Sequence, residues 1–355
     1  MDISNFYITD DGSVGLYSEE VHDIYHSKTG ALKESFDKFI APTHFSDYCK
    51  DNQITNVLDI CYGIGYNTKA AIYSFLKSKN DNNTLKINAL EISKETAFLS
   101  PFVNDGLNSP DINLYLLANF IFYFQNDFLS FIVNFNLEKM INNPTIFSQN
   151  ISLVFKAYLT SGYINISFKE LHSFLHNIYY QNISKSMKND FNASILANIK
   201  IAYYFDDARN SIKCIKDKHD FIFHDGFTPH KQPLLWTFDF LEQVKTIMKP
   251  IGILSTYSNS TPVRSALHNL GFCLGKIVID EKQFGTIASL NSTNIDNPLS
   301  QFEYGMLDTK SGIPYRDENL NLSSKEILKN RDEIVKKSDK ITLTAYKRVH
   351  ENEKS

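Results

Sequence analysis

The sequence predicts an α/β chain with a doubly wound, mostly parallel sheet and one long helical insertion. Three observations lead there. Short apolar runs stop at an acid or a glycine turn, at Asp59-Ile60-Cys61-Tyr62-Gly63, Glu91, Asp206-Asp207 and Asp225. Helical spacing follows most of these stops, and alternation of this kind puts helices on both faces of a parallel sheet. The rhythm vanishes from about Thr96 to Ile195 and resumes at Ile199, which marks an insertion, because loops inside an α/β unit are short.

In chain order, Ser18 to Ser27 leads into a helical pattern with Ala31, Leu32, Phe36, Phe39 and Ile40 on one side, stopped near Pro42. Ile54 to Ile60 reads as a strand, the glycine turn opens a second helix, and Lys86 to Leu90 is a strand ending at Glu91. The insertion is rich in Phe, Tyr and Asn. Its most apolar stretch, Ile112 to Phe135, is broken by Asn113, Asn119, Gln125, Asn126 and Asp127. No uninterrupted run approaches the roughly 20 residues of a membrane helix, so a buried helix and no membrane association are expected. Ile199 to Phe205 and Phe221 to Phe223 read as strands, and Pro233 to Lys249 as a helix ended by Pro250 and Gly252. Ile253 to Tyr257 is a strand. Thr261-Pro262 opens a helix closed by Gly271, and Leu274 to Ile279 can pair with Phe284 to Leu290. The predicted division is 1–50 as an N-terminal segment, 51–95 with 199–292 as the α/β domain, 96–198 as the insertion and 293–355 as a polar tail.

At 355 residues, 43% of them hydrophobic and 21% charged, the chain has ample material for a core. A formal net charge of −4 gives no global field for nucleic acid, so any RNA needs a local patch. Cys49, Cys61, Cys214 and Cys273 form no CxxC pair, which favours reduced thiols in a cytoplasmic protein over a zinc or disulfide framework; no metal is expected. The acidic N-terminus lacks a signal pattern. Nothing resembles a Walker lysine loop or a Ser/His/Asp elbow.

Ligands of open α/β sheets sit outside the carboxyl ends of the strands, so the strand exits are the candidate site. The turn Asp59-x-Cys61-x-Gly63-x-Gly65 lets backbone approach a ligand closely. Glu91 suits a ribose diol, since a carboxylate accepts from both hydroxyls, and Asp207 can accept from an exocyclic amine. Together they outline a nucleoside-like pocket. Each has an ordinary alternative: a tight turn without ligand, a solvated acid, a helix N-cap. Asp225 enters a stiff loop, Gly226-Phe227-Thr228-Pro229, and is the first residue expected to carry chemistry. His224 is expected to be a satisfied core residue, and Trp236 to be structural.

The stretch His224-Asp225-Gly226-Phe227-Thr228-Pro229-His230-Lys231-Gln232-Pro233-Leu234-Leu235-Trp236 resembles the "LDGFAPAKNPxLW" block in the methyltransferase part of the MnmC family. Gly252 to Tyr257, with Val263-Arg264 and Leu270-Gly271-Phe272, resembles its "GTLATF…VR…AGF" block. Asp59 to Asn67 resembles its "ETGFGTGLN" turn, and Tyr25, Ser27 and Glu34 are similar to an N-terminal "YxS…E" stretch. The likeness covers about residues 10–95 and 199–290. It departs at Cys61, which stands in for the first glycine, and at Thr261-Pro262, and the chain is too short to hold an FAD-dependent oxidase half.

The resemblance implies a class I, Rossmann-like, seven-stranded fold and a stand-alone methyltransferase. Its reaction would be S-adenosyl-L-methionine-dependent methylation of 5-aminomethyl(-2-thio)uridine at the tRNA wobble position. It implies cofactor contacts from Asp59, Gly63, Gly65, Asn67, Glu91 and Asp207, catalysis by Asp225, and substrate contacts from Tyr25, Phe227, Pro229, Lys231, Tyr257 and Arg264. Phe227 and Tyr257 would stack on the base or pack near the sulfonium; Lys231 and Arg264 would meet the anticodon loop. The bland readings are core aromatics and surface salt bridges. Two rival functions are an aminopropyltransferase of the spermidine-synthase type and a non-catalytic cofactor- or RNA-binding relative.

Overall fold

The computed structural model describes residues 3–78, 82–107, 109–161, 166–182 and 198–350. Parts of the predicted insertion, 162–165 and 183–197, lie outside them. Seven strands form one sheet: β4 (Ile54–Ile60), β5 (Thr84–Leu90), β6 (Ile199–Tyr204), β7 (His219–His224), β8 (Met248–Thr256), β9 (Cys273–Ile279) and β10 (Lys282–Ser289). Before them, β1 (Phe6–Ile8), β2 (Val14–Ser18) and β3 (Asp23–Ile24) make a small antiparallel sheet. The large sheet has the order β6-β5-β4-β7-β8-β10-β9. All neighbours are parallel except β10, which runs antiparallel to β8 and β9.

That order places the function. From β4 the chain winds outward through β5 to β6, then returns to the other side of β4 with β7 and β8. The direction reverses between β4 and β7, and a crevice opens where crossover helices leave a sheet in opposite directions. Register does the rest. Tyr204, Leu90, Ile60 and His224 lie side by side across four strands. The following residues, including Glu91, Cys61 and Asp225, therefore emerge together, with neighbouring strands about 4.8 Å apart.

Helices cover both faces. On one side sit α1 (Ala31–Ser35), α2 (Phe45–Asp51), α3 (Tyr66–Lys77) and the helices of the insertion: α4 (Lys94–Phe98), α5 (Pro110–Phe135), α6 (Leu137–Ile141), α7 (Gln149–Ser161) and α8 (Phe168–Asn182). The other face carries α9 (Ala208–Cys214), α10 (Phe238–Thr246), α11 (Thr261–Asn269), α12 (Gln301–Leu307) and α13 (Ser324–Lys337); α14 (Leu343–Val349) packs on α12. From Val57 onward β4 is buried on both sides, and β7 is buried throughout, because each face is covered.

The insertion does not stand apart from the sheet. Its aromatic core is continuous with that of the sheet: Phe120 packs on Tyr203 of β6 at 4.8 Å between centroids, and the Tyr115 hydroxyl donates to the Ile199 carbonyl at 2.6 Å. Lys69 of α3, wholly buried, donates to Asp105 at 2.9 Å and to the Ser100 carbonyl at 2.6 Å, pinning the insertion to the helix after the glycine turn. Among the described residues its longest helix, α5, is by length and composition able to cross a membrane, yet half of its apolar window is buried inside the fold.

Three expectations change. The helix after Trp236 ends at Thr246, and Pro250 and Gly252 lie inside β8. A register shift between His219 and Phe221 absorbs the extra residues there, and such a bulge tolerates a proline that can donate nothing to the ladder. The stretch before Ala31 holds β1 to β3, too short to announce themselves by periodicity. The polar tail is docked: Leu299, Leu307, Ile313, Tyr315, Leu320 and Ile327 join the core of the second face.

Candidate active site

A cavity of about 940 Å3 opens at the carboxyl ends of β4, β5, β6 and β7. The strand exits form its floor, with Cys61, Gly63, Glu91, Asp207 and Asp225. The small N-terminal sheet and the segment up to Ser27 form its roof, and Phe227, Trp236 and Tyr257 wall one side. Three backbone bonds knit the exits together: Tyr62 N–H to Leu90 O at 2.9 Å, Glu91 N–H to Tyr204 O at 3.1 Å, and Asp225 N–H to Ile60 O at 3.2 Å.

Asp225 is held from behind. The Asn67 amide, on the first turn of α3, donates to Asp225 Oδ2 at 2.9 Å. The Ser35 hydroxyl donates to Asn67 Oδ1 at 2.7 Å and holds the amide in place behind the acid. Burial, reinforced by the charge of Glu34, pushes the Asp225 carboxyl up to about 7, while the Asn67 hydrogen bond and the Lys38 ammonium oppose that rise. Glu34 accepts from the Ser27 N–H at 3.0 Å and pairs with Lys38. The Lys38 ammonium also sits 5.7 Å from the centre of the Tyr257 ring.

Glu91 is the second fixed acid. Its two oxygens accept from the Gly63 N–H at 2.7 Å and the Ser93 N–H at 2.9 Å. Burial raises its pKa against those bonds. Gly63 has a φ of 56°, a region that favours glycine, and a Cβ there would stand 3.2 Å from the Tyr25 ring, tighter than ordinary contact. Tyr25 in turn meets the edge of Phe227 at 5.0 Å. A latch closes this corner: Thr228 donates to Asp23 at 2.5 Å, and Lys231 binds Asp23 at 3.1 Å and the His22 carbonyl at 3.0 Å.

The lining is strongly acidic. Glu19, Glu20, Asp23, Glu34, Glu91 and Glu95 join Asp207 and Asp225, and Lys38 is the one lysine or arginine among the lining residues. Low-dielectric walls lined by one sign of charge concentrate counter-ions, so the cavity suits a cationic ligand. Among the described residues no cluster of three or more His, Cys, Asp or Glu is placed to hold a metal.

Seven of the sequence-predicted residues line this cavity: Tyr25, Gly63, Glu91, Asp207, Asp225, Phe227 and Tyr257. Six do not. Asp59 lies beneath the turn with no exposed surface and accepts from the Thr68 hydroxyl at 2.6 Å, and burial pushes its carboxyl up to about 7. Gly65, with a φ of 84°, ends the turn where α3 starts. Asn67 faces Asp225 rather than the open space, and Pro229 is buried outside the lining. Lys231 is taken up by the latch. Arg264, 5% exposed, donates to Gly285 O at 3.0 Å and Thr286 Oγ1 at 2.9 Å, so it cannot reach an RNA phosphate as expected; the β10 strand lies over it.

His224 corrects another expectation. It is buried and stacked on Trp236 at 4.0 Å, but neither ring nitrogen has a hydrogen-bond partner among the described residues, and burial lowers its pKa to about 3. Trp236 is structural, as read: its indole N–H donates to the Phe227 carbonyl at 2.7 Å and sets the loop after Asp225. Ser35 and Lys38 were missed. Nothing in the sequence couples them to an acid nearly two hundred positions away.

The glycine-to-cysteine departure has a cost visible in the backbone. Cys61 has a φ of 68°, the left-handed region that disfavours side chains. Burial and the surrounding carboxylates push its thiol well above the ordinary value, so it stays protonated. Cys61→Gly is expected to leave stability within about 0.5 kcal/mol of wild type, relief of strain offsetting the added freedom of the unfolded chain. Cys61→Val, β-branched in the same conformation, should lose about 1–3 kcal/mol. Urea denaturation of both variants measures the difference, and a Val variant as stable as wild type would refute the strain.

Residues 167–290 match a family described as S-adenosyl-L-methionine-dependent methyltransferase. The crystal structure of MnmC2 from Aquifex aeolicus superposes with a TM-score of 0.61 and 25% identity, over 94% of this chain and 85% of that one. The chain is an S-adenosyl-L-methionine-dependent methyltransferase related to the methyltransferase part of MnmC. An uncharacterized protein of Methanocaldococcus jannaschii is 28% identical over 92% of this chain and 70% of its own length. The MnmC of Campylobacter hominis, a bifunctional protein of tRNA 5-methylaminomethyl-2-thiouridine biosynthesis, is 34% identical over 22% of this chain. That match spans 12% of the Campylobacter protein, so it concerns one part of a larger enzyme. The sheet order, the glycine turn and the buried acid at the β5 exit are compatible with the methyltransferase's cofactor: Gly63 has no side chain to crowd the space beside Tyr25, and Glu91 lies next to it in the cavity.

Proposed function

We propose that this methyltransferase acts on the primary amine of 5-aminomethyl(-2-thio)uridine at the tRNA wobble position, giving the 5-methylaminomethyl form, in the cytoplasm. The observation that carries the reading is Asp225: a positioned carboxylate at the sheet's switch point, inside an acidic cavity walled by aromatics. S-Adenosyl-L-methionine, when bound, supplies a methyl group on a positively charged sulfur. Glu91 would accept from its ribose hydroxyls, Asp207 from its adenine amine, and the Gly63 backbone would lie against it.

A free alkyl amine has a pKa of roughly 10 and arrives protonated at neutral pH, whereas only the neutral amine has a lone pair to attack with. Ionised Asp225 accepts the amine's N–H bonds, aims the lone pair and takes or relays its proton. A simple ion pair would raise the amine's pKa, so most of the effect is orientation, and alignment of this kind can be worth several kcal/mol. Phe227 and Tyr257 would hold the flipped base or the region around the sulfonium. Residues 51–95 and 199–292 would form the catalytic unit, with 1–50 as its roof.

The test is direct. Purified protein, S-adenosyl-L-methionine and tRNA bearing 5-aminomethyluridine should give a nucleoside 14 mass units heavier by the gain of one CH2, read by mass spectrometry. Transfer to putrescine from the decarboxylated cofactor, with tRNA untouched, would instead establish the aminopropyl reading.

A further inference from the structure

Of the two cations expected to meet phosphate, Lys231 is exposed but already paired with Asp23, and Arg264 is buried against the β10 strand. The cavity itself is acidic. An RNA whose base enters that cavity must have its phosphates met elsewhere. The chain is −4 in total, yet from Ser324 to His350 it carries eight basic and four acidic residues. This is where charge of the right sign collects.

The geometry of α13 sorts that charge. Ile327 is buried, and Arg331 donates to Ile313 O at 2.7 Å and Ser311 O at 3.0 Å and lies over the Tyr315 ring, so this face of the helix is fixed against the core. Lys325, Lys329 and Lys336 recur at i, i+4 and i+11, which brings them within about 40° of one another on a different flank, along about 16 Å of helix. All three are exposed. Exposed Asp332 falls within about 20–60° of the three lysines and Glu333 about 40° beyond Lys329, with Glu326 farther round, so the flank carries three lysines against one aspartate.

The row starts at the cavity. The Ser324 hydroxyl donates to the Gln232 side chain, and Gln232 lines the cavity. Arg209 donates to Leu322 O at 2.7 Å and Asp317 at 2.9 Å, tying the start of α13 to α9, whose first residue Ala208 also lines it.

We propose that the lysine row Lys325, Lys329 and Lys336 on α13 is the docking surface for the sugar-phosphate backbone of the RNA whose modified base enters the cavity. The inference rests on the tRNA reading above for the choice of RNA. Contacts of this kind fix register and orientation without reading sequence.

The experiment compares the full-length protein with the K325A/K329A/K336A triple variant for tRNA binding by fluorescence anisotropy across a salt series. The expected result is a Kd raised at least tenfold at low salt, with the log Kd–log salt slope reduced by about 2–3, because each lost phosphate contact removes about 0.7–0.9. Affinity for S-adenosyl-L-methionine and melting temperature should stay at wild-type values, and a triple Lys→Arg variant should retain binding. An unchanged Kd and slope overturns the proposal, as does equal loss in the Arg variant or loss of cofactor affinity. Because binding is read rather than methylation, a wild type that binds tRNA but leaves aminomethyluridine unmodified sinks the proposed reaction and not this surface.

Discussion

Methyl transfer by the Asp225→Asn variant should fall by about 10²–10⁴-fold, the range for removing a positioned acid–base group. Cofactor affinity should change little, because Glu91 and the glycine turn stay in place. The substitution keeps the side chain's volume, but an amide cannot take a proton, and the partner bond from Asn67 then sets N–H against N–H or forces a flip. In the wild type burial pushes the Asp225 carboxyl up to about 7, so activity should decline as pH falls through that value and the acceptor becomes protonated. Stability should move the other way. Between roughly 4, the unfolded value, and about 7, the folded protein holds a proton that the unfolded chain has lost, so this carboxyl's contribution falls as pH rises. The Asn variant lacks that loss and should melt at or above wild type at pH 8. A variant that turns over within threefold of wild type would remove Asp225 from the chemistry.

The second large effect belongs to Glu91. Its carboxylate holds the N–H groups of Gly63 and Ser93. Glu91→Ala strips both of their partner in a buried place, at about 1–3 kcal/mol for each N–H left unsatisfied, and removes the acceptor assigned to the ribose. Calorimetry should show the Kd for S-adenosyl-L-methionine rising at least a hundredfold. Turnover at saturating cofactor should recover far more than in the Asp225 variant. A Kd within threefold of wild type would mean that this acid shapes the loop without touching the cofactor.

The contrast between these two acids and Arg264 explains what could be read before folding. Asp225 and Glu91 each end an apolar run, and a strand that stops at an acid must deliver it to the sheet's edge, whatever else the chain does. Arg264 follows Thr261-Pro262 on an amphipathic helix, and that local pattern is the same whether a surface or a strand lies against it. Only the β10 hairpin, laid back over α11 with Gly285 and Thr286 facing the guanidinium, decided the matter. Asn67 shows a subtler gap: its place after the glycine turn was legible, whereas its direction toward Asp225 depends on β4 and β7 being neighbours.

By itself, the amino-acid order determined the alternation of strand and helix, the insertion, the acids and glycines at the strand ends, and the likeness that named the methyl donor. Those features depend on neighbours along the chain, where periodicity and turn chemistry act. Tertiary structure alone decided that the N-terminal segment roofs the cavity, that Ser35, Asn67, Glu34 and Lys38 surround one aspartate, and that the basic helix α13 begins at the rim. These depend on residues far apart in the chain, and contacts between them exist only once burial of both sheet faces has set which elements meet.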